Sequence, residues 1–218
     1  MTMKLLFAGY RSWAHAAYTE LQRLRGVDIE LVESPKALDA ALREEAWDVV
    51  ALVGWSWIVP AQHTVDHYVV VVHPSDLPAY AGGSPLQHQI IDGVTETQAT
   101  LFRAATQLDG GAVLYKCPLS LEGHLDDVFA RLTYVTCDLL GQLIRDWPTV
   151  AEHPQVGYVA PRKRLQPKDG ELTHDRLQHL TCQQLYDFIR CREHPYPSAF
   201  IKDETGTLYI ERVRFKRG

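Results

Sequence analysis

Residues 48–54 read Asp-Val-Val-Ala-Leu-Val-Gly, and residues 69–73 read Val-Val-Val-Val-His. A run that is apolar at every position has no face left for water, so both of its sides must be covered, which is the condition of an interior strand in a parallel sheet. Working outward, residues 4–9 (Lys-Leu-Leu-Phe-Ala-Gly) form a shorter run of the same kind. Residues 12–25 then carry Ala16, Ala17, Leu21 and Leu24 at near-helical spacing, with Ser12 as the N-cap. Residues 27–32 alternate, Ser34-Pro35 opens a second helix to residue 46, and residues 84–93 form a third, short one. Strands alternating with helices predict an α/β domain: a mostly parallel sheet with right-handed crossovers and helices on both faces.

The pattern changes at residue 96. Residues 97–104 and 112–118 read as strands of a hairpin around the turn Leu108-Asp109-Gly110-Gly111. Residues 125–147 form a long amphipathic helix that Pro148 ends. Residues 152–170, rich in proline and charge, read as a linker or an extended crossing segment. This gives a main domain over residues 1–150 and a linker with a small α+β annex over 151–218. The annex holds one helix (182–192) and two strands (199–201, 207–215), too little to stand alone. A chain of 218 residues that is 46% hydrophobic buries roughly 70% of its unfolded surface, which excludes a disordered chain. With 22 Lys and Arg against 27 Asp and Glu, the formal charge of −5 argues against a nucleic-acid partner. The four cysteines contain no C-x-x-C pair and the opening residues no long apolar stretch. A reduced, cytoplasmic chain without a membrane anchor is expected.

The chemistry-bearing residues cluster at two loops. His73 ends an apolar strand and is followed by Pro74-Ser75-Asp76-Leu77-Pro78 and Gly82-Gly83-Ser84-Pro85. Ligands of open parallel sheets sit beyond the carboxyl ends of the strands, so His73 faces a crevice where a base would be; a loop-anchoring histidine is the plainer reading. The prolines stiffen this loop, and its glycines allow close approach to a ligand. Asp109-Gly110-Gly111 alone is an ordinary hairpin turn.

Together the two loops resemble the formyltetrahydrofolate-dependent formyltransferases. That family's histidine motif corresponds to His73-Pro74-Ser75-Asp76-Leu77-Pro78 through Gly83-Ser84-Pro85, and its aspartate motif to Leu108-Asp109-Gly110-Gly111-Ala112-Val113. Tyr196-Pro197-Ser198-Ala199-Phe200 resembles a segment of several members. Gly54-Trp55-Ser56-Trp57 and Gly82-Gly83-Ser84-Pro85-Leu86-Gln87 are similar to runs in short bacterial members associated with amino-sugar and nonulosonic-acid synthesis.

The resemblance implies a Rossmann-like catalytic domain, 10-formyltetrahydrofolate as formyl donor, and a primary amine on a small acceptor, an amino-deoxy sugar carried on a nucleotide. His73 would be the acid/base and oxyanion partner, and Asp109 its orienter. Trp55, Ser56, Trp57, Ile58 and Val59 would wall the folate, with residues 104–107, including Ala105 and Thr106, opposite. Tyr10, Arg11, Gly83 and Ser84 would meet the substrate. Most members carry asparagine two residues before the histidine; here Val71 stands there, on the face of the strand that His73 shares. An oxyanion donor is worth about 2.7–4 kcal/mol, so a replacement is needed, with Gln87 and His88 as candidates. The only compact basic run, Arg162-Lys163-Arg164, reads as a solvated face, and without a larger basic domain it does not point to initiator tRNA. His63, His67 and His124 lack metal-ligand spacing. A homodimer is compatible with these features. The alternatives are a formyltetrahydrofolate hydrolase of the same fold and a folate- or sugar-binding protein that has lost catalysis.

Overall fold

The computed structural model describes residues 2–157 and 159–216. The unbroken apolar runs become neighbouring interior strands, as their lack of a polar face requires. β1 (Met3–Ala8), β2 (Val27–Val32), β3 (Val49–Val53) and β4 (Val69–His73) are parallel, β5 (Glu96–Arg103) and β6 (Val113–Ser120) form an antiparallel hairpin, and the order is β2-β1-β3-β4-β5-β6.

Alternation along β1 serves two cores. Leu5 and Phe7 enter a large core under α1 (Ser12–Leu21) and α5 (Leu125–Asp146), whereas Leu6 and Ala8 enter a smaller one under α2 (Pro35–Glu44). Each fully buried leucine in these layers contributes about 1.5–3 kcal/mol relative to exposure. Trp13 of α1 lies parallel to Phe129 of α5, and the Thr133 hydroxyl donates to the Trp13 carbonyl at 3.1 Å, which joins the two helices on one face. Ser34 caps α2 by accepting from the Ala37 amide.

Several boundaries differ from the sequence expectation. α1 ends at Leu21 rather than residue 25, with Leu24 exposed and Gly26 at φ +83°. α3 (Ala61–Asp66) and α6 (His174–His179) have no buried residues, so no apolar stripe announces them. β8 (Gly206–Ile210) pairs with β7 (Ala199–Asp203) and stops short of residue 215; Phe215 stacks on Tyr186 instead of continuing the strand. Residues 152–157 and 159–166 form no helix or strand but run across the main sheet's loops. His153 and Val113 exchange both backbone hydrogen bonds, at 2.8 and 2.9 Å, and Arg162 bridges Gly82.

The annex is held at the amino end of α5. Glu193, almost wholly buried, accepts from the Leu125 amide at 3.0 Å and meets His124 Nδ1 at 2.6 Å, placing a carboxylate on the orphan amides of a 22-residue helix. Arg190, at the end of α7 (Cys182–Arg190), donates to the Leu121 and Gly123 carbonyls and pairs with Asp187 at 2.6 Å. Glu193→Ala leaves a helix end and a histidine without their acceptor and is expected to lower unfolding stability by about 2–3 kcal/mol, read as a shifted urea midpoint. Glu193→Gln, which keeps one acceptor oxygen, should lose less; an unchanged midpoint in the alanine variant would show that the latch carries no stability.

Candidate active site

Strand order reverses direction between β1 and β3, the place at which ligands of open α/β sheets bind, and the loops leaving those two strands meet there. Tyr10, after β1, donates its hydroxyl proton to Ser56 Oγ at 2.6 Å and packs on Trp57 at 4.6 Å between ring centroids. Trp57 in turn meets Trp55 edge-on at 4.9 Å. Trp55 and Val59 are half-buried against the smaller core, on the patch that also holds Val71 and Ala104, whereas Ile58 projects into solvent. Ala105 and Thr106, beyond β5, are exposed. The Arg11 guanidinium lies over Tyr10 at 4.8 Å and faces Tyr196 at 5.8 Å, and burial raises the Tyr196 pKa.

His73 closes β4 with its ring edge-on to Phe102, the residue paired with Val71 across β5. It is 6% exposed. Nε2 lies 3.1 Å from the Tyr80 carbonyl, and a carbonyl only accepts, so Nε2 carries the proton of the neutral ring. The free lone pair then sits on Nδ1, which faces Asp109 Oδ2 across 3.8 Å. The same carboxylate oxygen accepts from the Gly82 amide at 2.7 Å. A proton taken up at Nδ1 thus arrives beside a fixed negative charge that stabilises the cation formed. Among the described residues, the non-glycine positions with positive φ are Tyr80 (56°), Ser84 (55°) and Asp109 (51°). All three lie in the two loops around His73, and such strain persists only where surrounding contacts impose it.

Those contacts come partly from residues that sequence reasoning passed over. Thr100, the cross-strand partner of His73, donates to the Ser75 carbonyl at 2.7 Å and accepts from the Leu77 amide at 3.3 Å. Gln89 of α4 (Pro85–Ile91) donates to the Pro74 and Pro85 carbonyls at 2.8 and 3.0 Å. Both are fully buried. The available signal was a polar side chain at an interior strand position and on the buried side of a short helix.

Two sequence expectations are revised by the crossing segment. The glycines at 82 and 83 admit the protein's own backbone where a ligand was expected: a Cβ on Gly82 would lie 2.4 Å from the Arg162 carbonyl oxygen, and one on Gly83 2.6 Å from the Arg164 Cα. The basic run is exposed, as expected of a solvated face, but its arginines have protein partners: Arg162 pairs with Asp92 at 2.8 Å and covers the Tyr80 ring, while Arg164 reaches the Ser56 carbonyl at 3.3 Å. His88 turns Nε2 to the Lys163 carbonyl at 2.9 Å, which commits that nitrogen to the crossing segment. Gln87 is buried on α4, and Ser84 Oγ accepts from the Leu165 amide at 3.1 Å. Beside Asp109 a cavity of about 180 Å³ is lined by Pro78, Gln107, Gln155 and Val159, among others, so the crossing segment supplies one of its walls.

Residues 20–134, more than half of the chain and including both His73 and Asp109, match the family described as formyl transferase. A curated relative, the methionyl-tRNA formyltransferase of Lysinibacillus sphaericus, is 32% identical over 147 residues, covering 64% of this chain. The chain spans 44% of that relative's length. The solved methionyl-tRNA formyltransferase of Clostridium thermocellum superposes with a TM-score of 0.89 at 25% identity, covering 98% of this chain and 94% of the other. A sugar N-formyltransferase from a Shewanella species shares the fold, with a TM-score of 0.75 at 16% identity over 99% of each chain.

The Gly82 geometry is testable without an activity assay. At φ +97° and with no room beside Arg162, Gly82→Ala is expected to release the crossing segment. Strain of this kind costs about 1–3 kcal/mol. Limited proteolysis should cut within residues 153–166 of the variant faster than in the parent, and equal cutting rates would contradict the packing described.

Proposed function

The chain belongs to the formyl transferase family, and we propose that it moves the formyl group of 10-formyltetrahydrofolate to a primary amine of a small acceptor, an amino-deoxy sugar carried on a nucleotide. The observation that carries this reading is the His73–Asp109 pair, held by strained loops at the carboxyl edge of the sheet. An attacking amine must lose a proton, and His73 Nδ1 is the atom with a lone pair free to take it. Asp109 steadies the resulting imidazolium and keeps the ring in orientation. The folate donor supplies an electrophilic formyl carbon. Half-buried Trp55 and Val59, continuous with Val71 and Ala104, would give its flat ring an apolar wall, with Ala105 and Thr106 opposite by the family resemblance.

The likeness to methionyl-tRNA formyltransferases favours a second acceptor, the aminoacyl end of a tRNA. The formal charge of −5 and the engagement of Arg162 and Arg164 with protein partners favour the small acceptor. Side-by-side assays with nucleotide-linked amino sugars and aminoacylated tRNA distinguish the two, and formate release without amine consumption would identify a hydrolase.

His73→Ala and Asp109→Ala are each expected to lower turnover by at least about 100-fold while the melting temperature stays near that of the parent. Their double variant should be little worse than either, because the pair acts as a unit. Near-full turnover in either single variant would remove its assigned role. Reduced folate should quench tryptophan fluorescence in the parent and not in a variant carrying both Trp55→Leu and Trp57→Leu. Absence of saturable folate binding by calorimetry in folded protein would end the formyl-transfer reading.

A further inference from the structure

We propose that Gln155, on the crossing segment beyond the six-stranded sheet, is a positioning residue that sets Asp109 against His73. The inference rests on the formyl-transfer reading for its kinetic arm. The Asp109 turn is a left-handed, strained one, and its own backbone contributes little to hold it: the Gly110 amide reaches the Gln107 carbonyl at 3.2 Å. The carbonyls of Asp109 and Gly111 instead face the crossing segment, and Gln155 Nε2 lies 2.8 Å from each. A carboxamide nitrogen carries two hydrogens, so both are used on this one turn.

Gln155 is itself anchored. His153, two residues earlier, exchanges both backbone hydrogen bonds with Val113, two residues after Gly111, so the glutamine is delivered to the turn by a local antiparallel pairing. Asp109 is then fixed at two points, its peptide by Gln155 and its carboxylate by the Gly82 amide. Gly82 is in turn bridged to Arg162. Both restraints trace to the crossing segment. The separation they maintain, 3.8 Å from His73 Nδ1 to Asp109 Oδ2, is longer than a hydrogen bond and leaves the carboxylate a short approach to a proton on Nδ1. A carboxylate released from either point loses that approach, and misplacement by about 1 Å costs on the order of 100-fold in rate.

The test uses Gln155→Leu, which removes the donors, and Gln155→Glu, which keeps the length and replaces the donors with acceptors. In the full chain each variant should turn over ~10- to 100-fold more slowly with an unchanged folate dissociation constant. In an Asp109→Ala background neither substitution should slow the enzyme further. Hydrogen exchange at the Gly82 amide should accelerate about tenfold in Gln155→Leu, while the Val72 amide inside β4 keeps its protection. Turnover within twofold of the parent, a full additional loss in the Asp109→Ala background, or unchanged Gly82 exchange would each overturn the proposal. If neither variant folds, the residue holds the fold rather than the pair, and the proposal also fails. Should the parent itself transfer no formyl group to any amine, the functional reading falls while the exchange measurement still decides the role of Gln155.

Discussion

One hydrogen bond, from the Gly82 amide to the Asp109 carboxylate at 2.7 Å, ties together everything that surrounds His73. It joins the loop after β4 to the turn between β5 and β6, two segments that the sheet places side by side but does not itself connect. Gly82 offers its amide because its backbone is left-handed, and that conformation is in turn enforced by Arg162 packed against it. Tyr80, two residues earlier, is likewise left-handed and delivers its carbonyl to His73 Nε2. The imidazole is therefore oriented by one end of a short strained loop and charge-matched through the other.

The strands were legible because their chemistry leaves no choice. Val69 to Val72 cannot face water on either side, and the structure places them in the middle of the sheet over the residues expected, β4 ending at His73. His73 was conspicuous as an ionisable residue at the end of such a strand, whereas the Asp-Gly-Gly turn alone is an ordinary hairpin turn, and Asp109 was singled out only by the resemblance of the two loops together to the formyltransferase motifs. The crossing segment was legible only as a stretch without elements, a linker or an extended crossing, and its partners were not. Its residues carry no periodicity, since their partners are loop backbones rather than a face of a sheet or helix, and nothing in the exposed run Arg162-Lys163-Arg164 announces that it meets Asp92, His88 and Ser56. Thr100 and Gln89 escaped for a related reason: a buried polar side chain differs from an exposed one only by what it bonds.

Val71 acquires a context in the same geometry. It lies on the patch shared with Trp55, Val59 and Ala104 and packs against Leu77, Ala81 and Phe102, so it joins the apolar wall of the crevice to the hydrophobic floor of the His73 loop. A carboxamide at that position would interrupt the wall. The site is correspondingly more apolar next to the imidazole, and its polar contacts come from backbone groups and from the carboxylate of Asp109.

The contacts that finish the site are also among the most distant along the chain. His88 meets Lys163 across 75 residues, and Ser56 meets Arg164 across 108. Closing such large loops forfeits more chain entropy than joining neighbouring strands, so the sheet has every reason to assemble ahead of the clasp. During synthesis the strands and α5 emerge first, and the pocket beside Asp109 acquires its last wall only after residue 159 has left the ribosome. A growing chain can thus hold a formed sheet without the finished pocket beside Asp109, which waits for the segment that was read as a linker or an extended crossing.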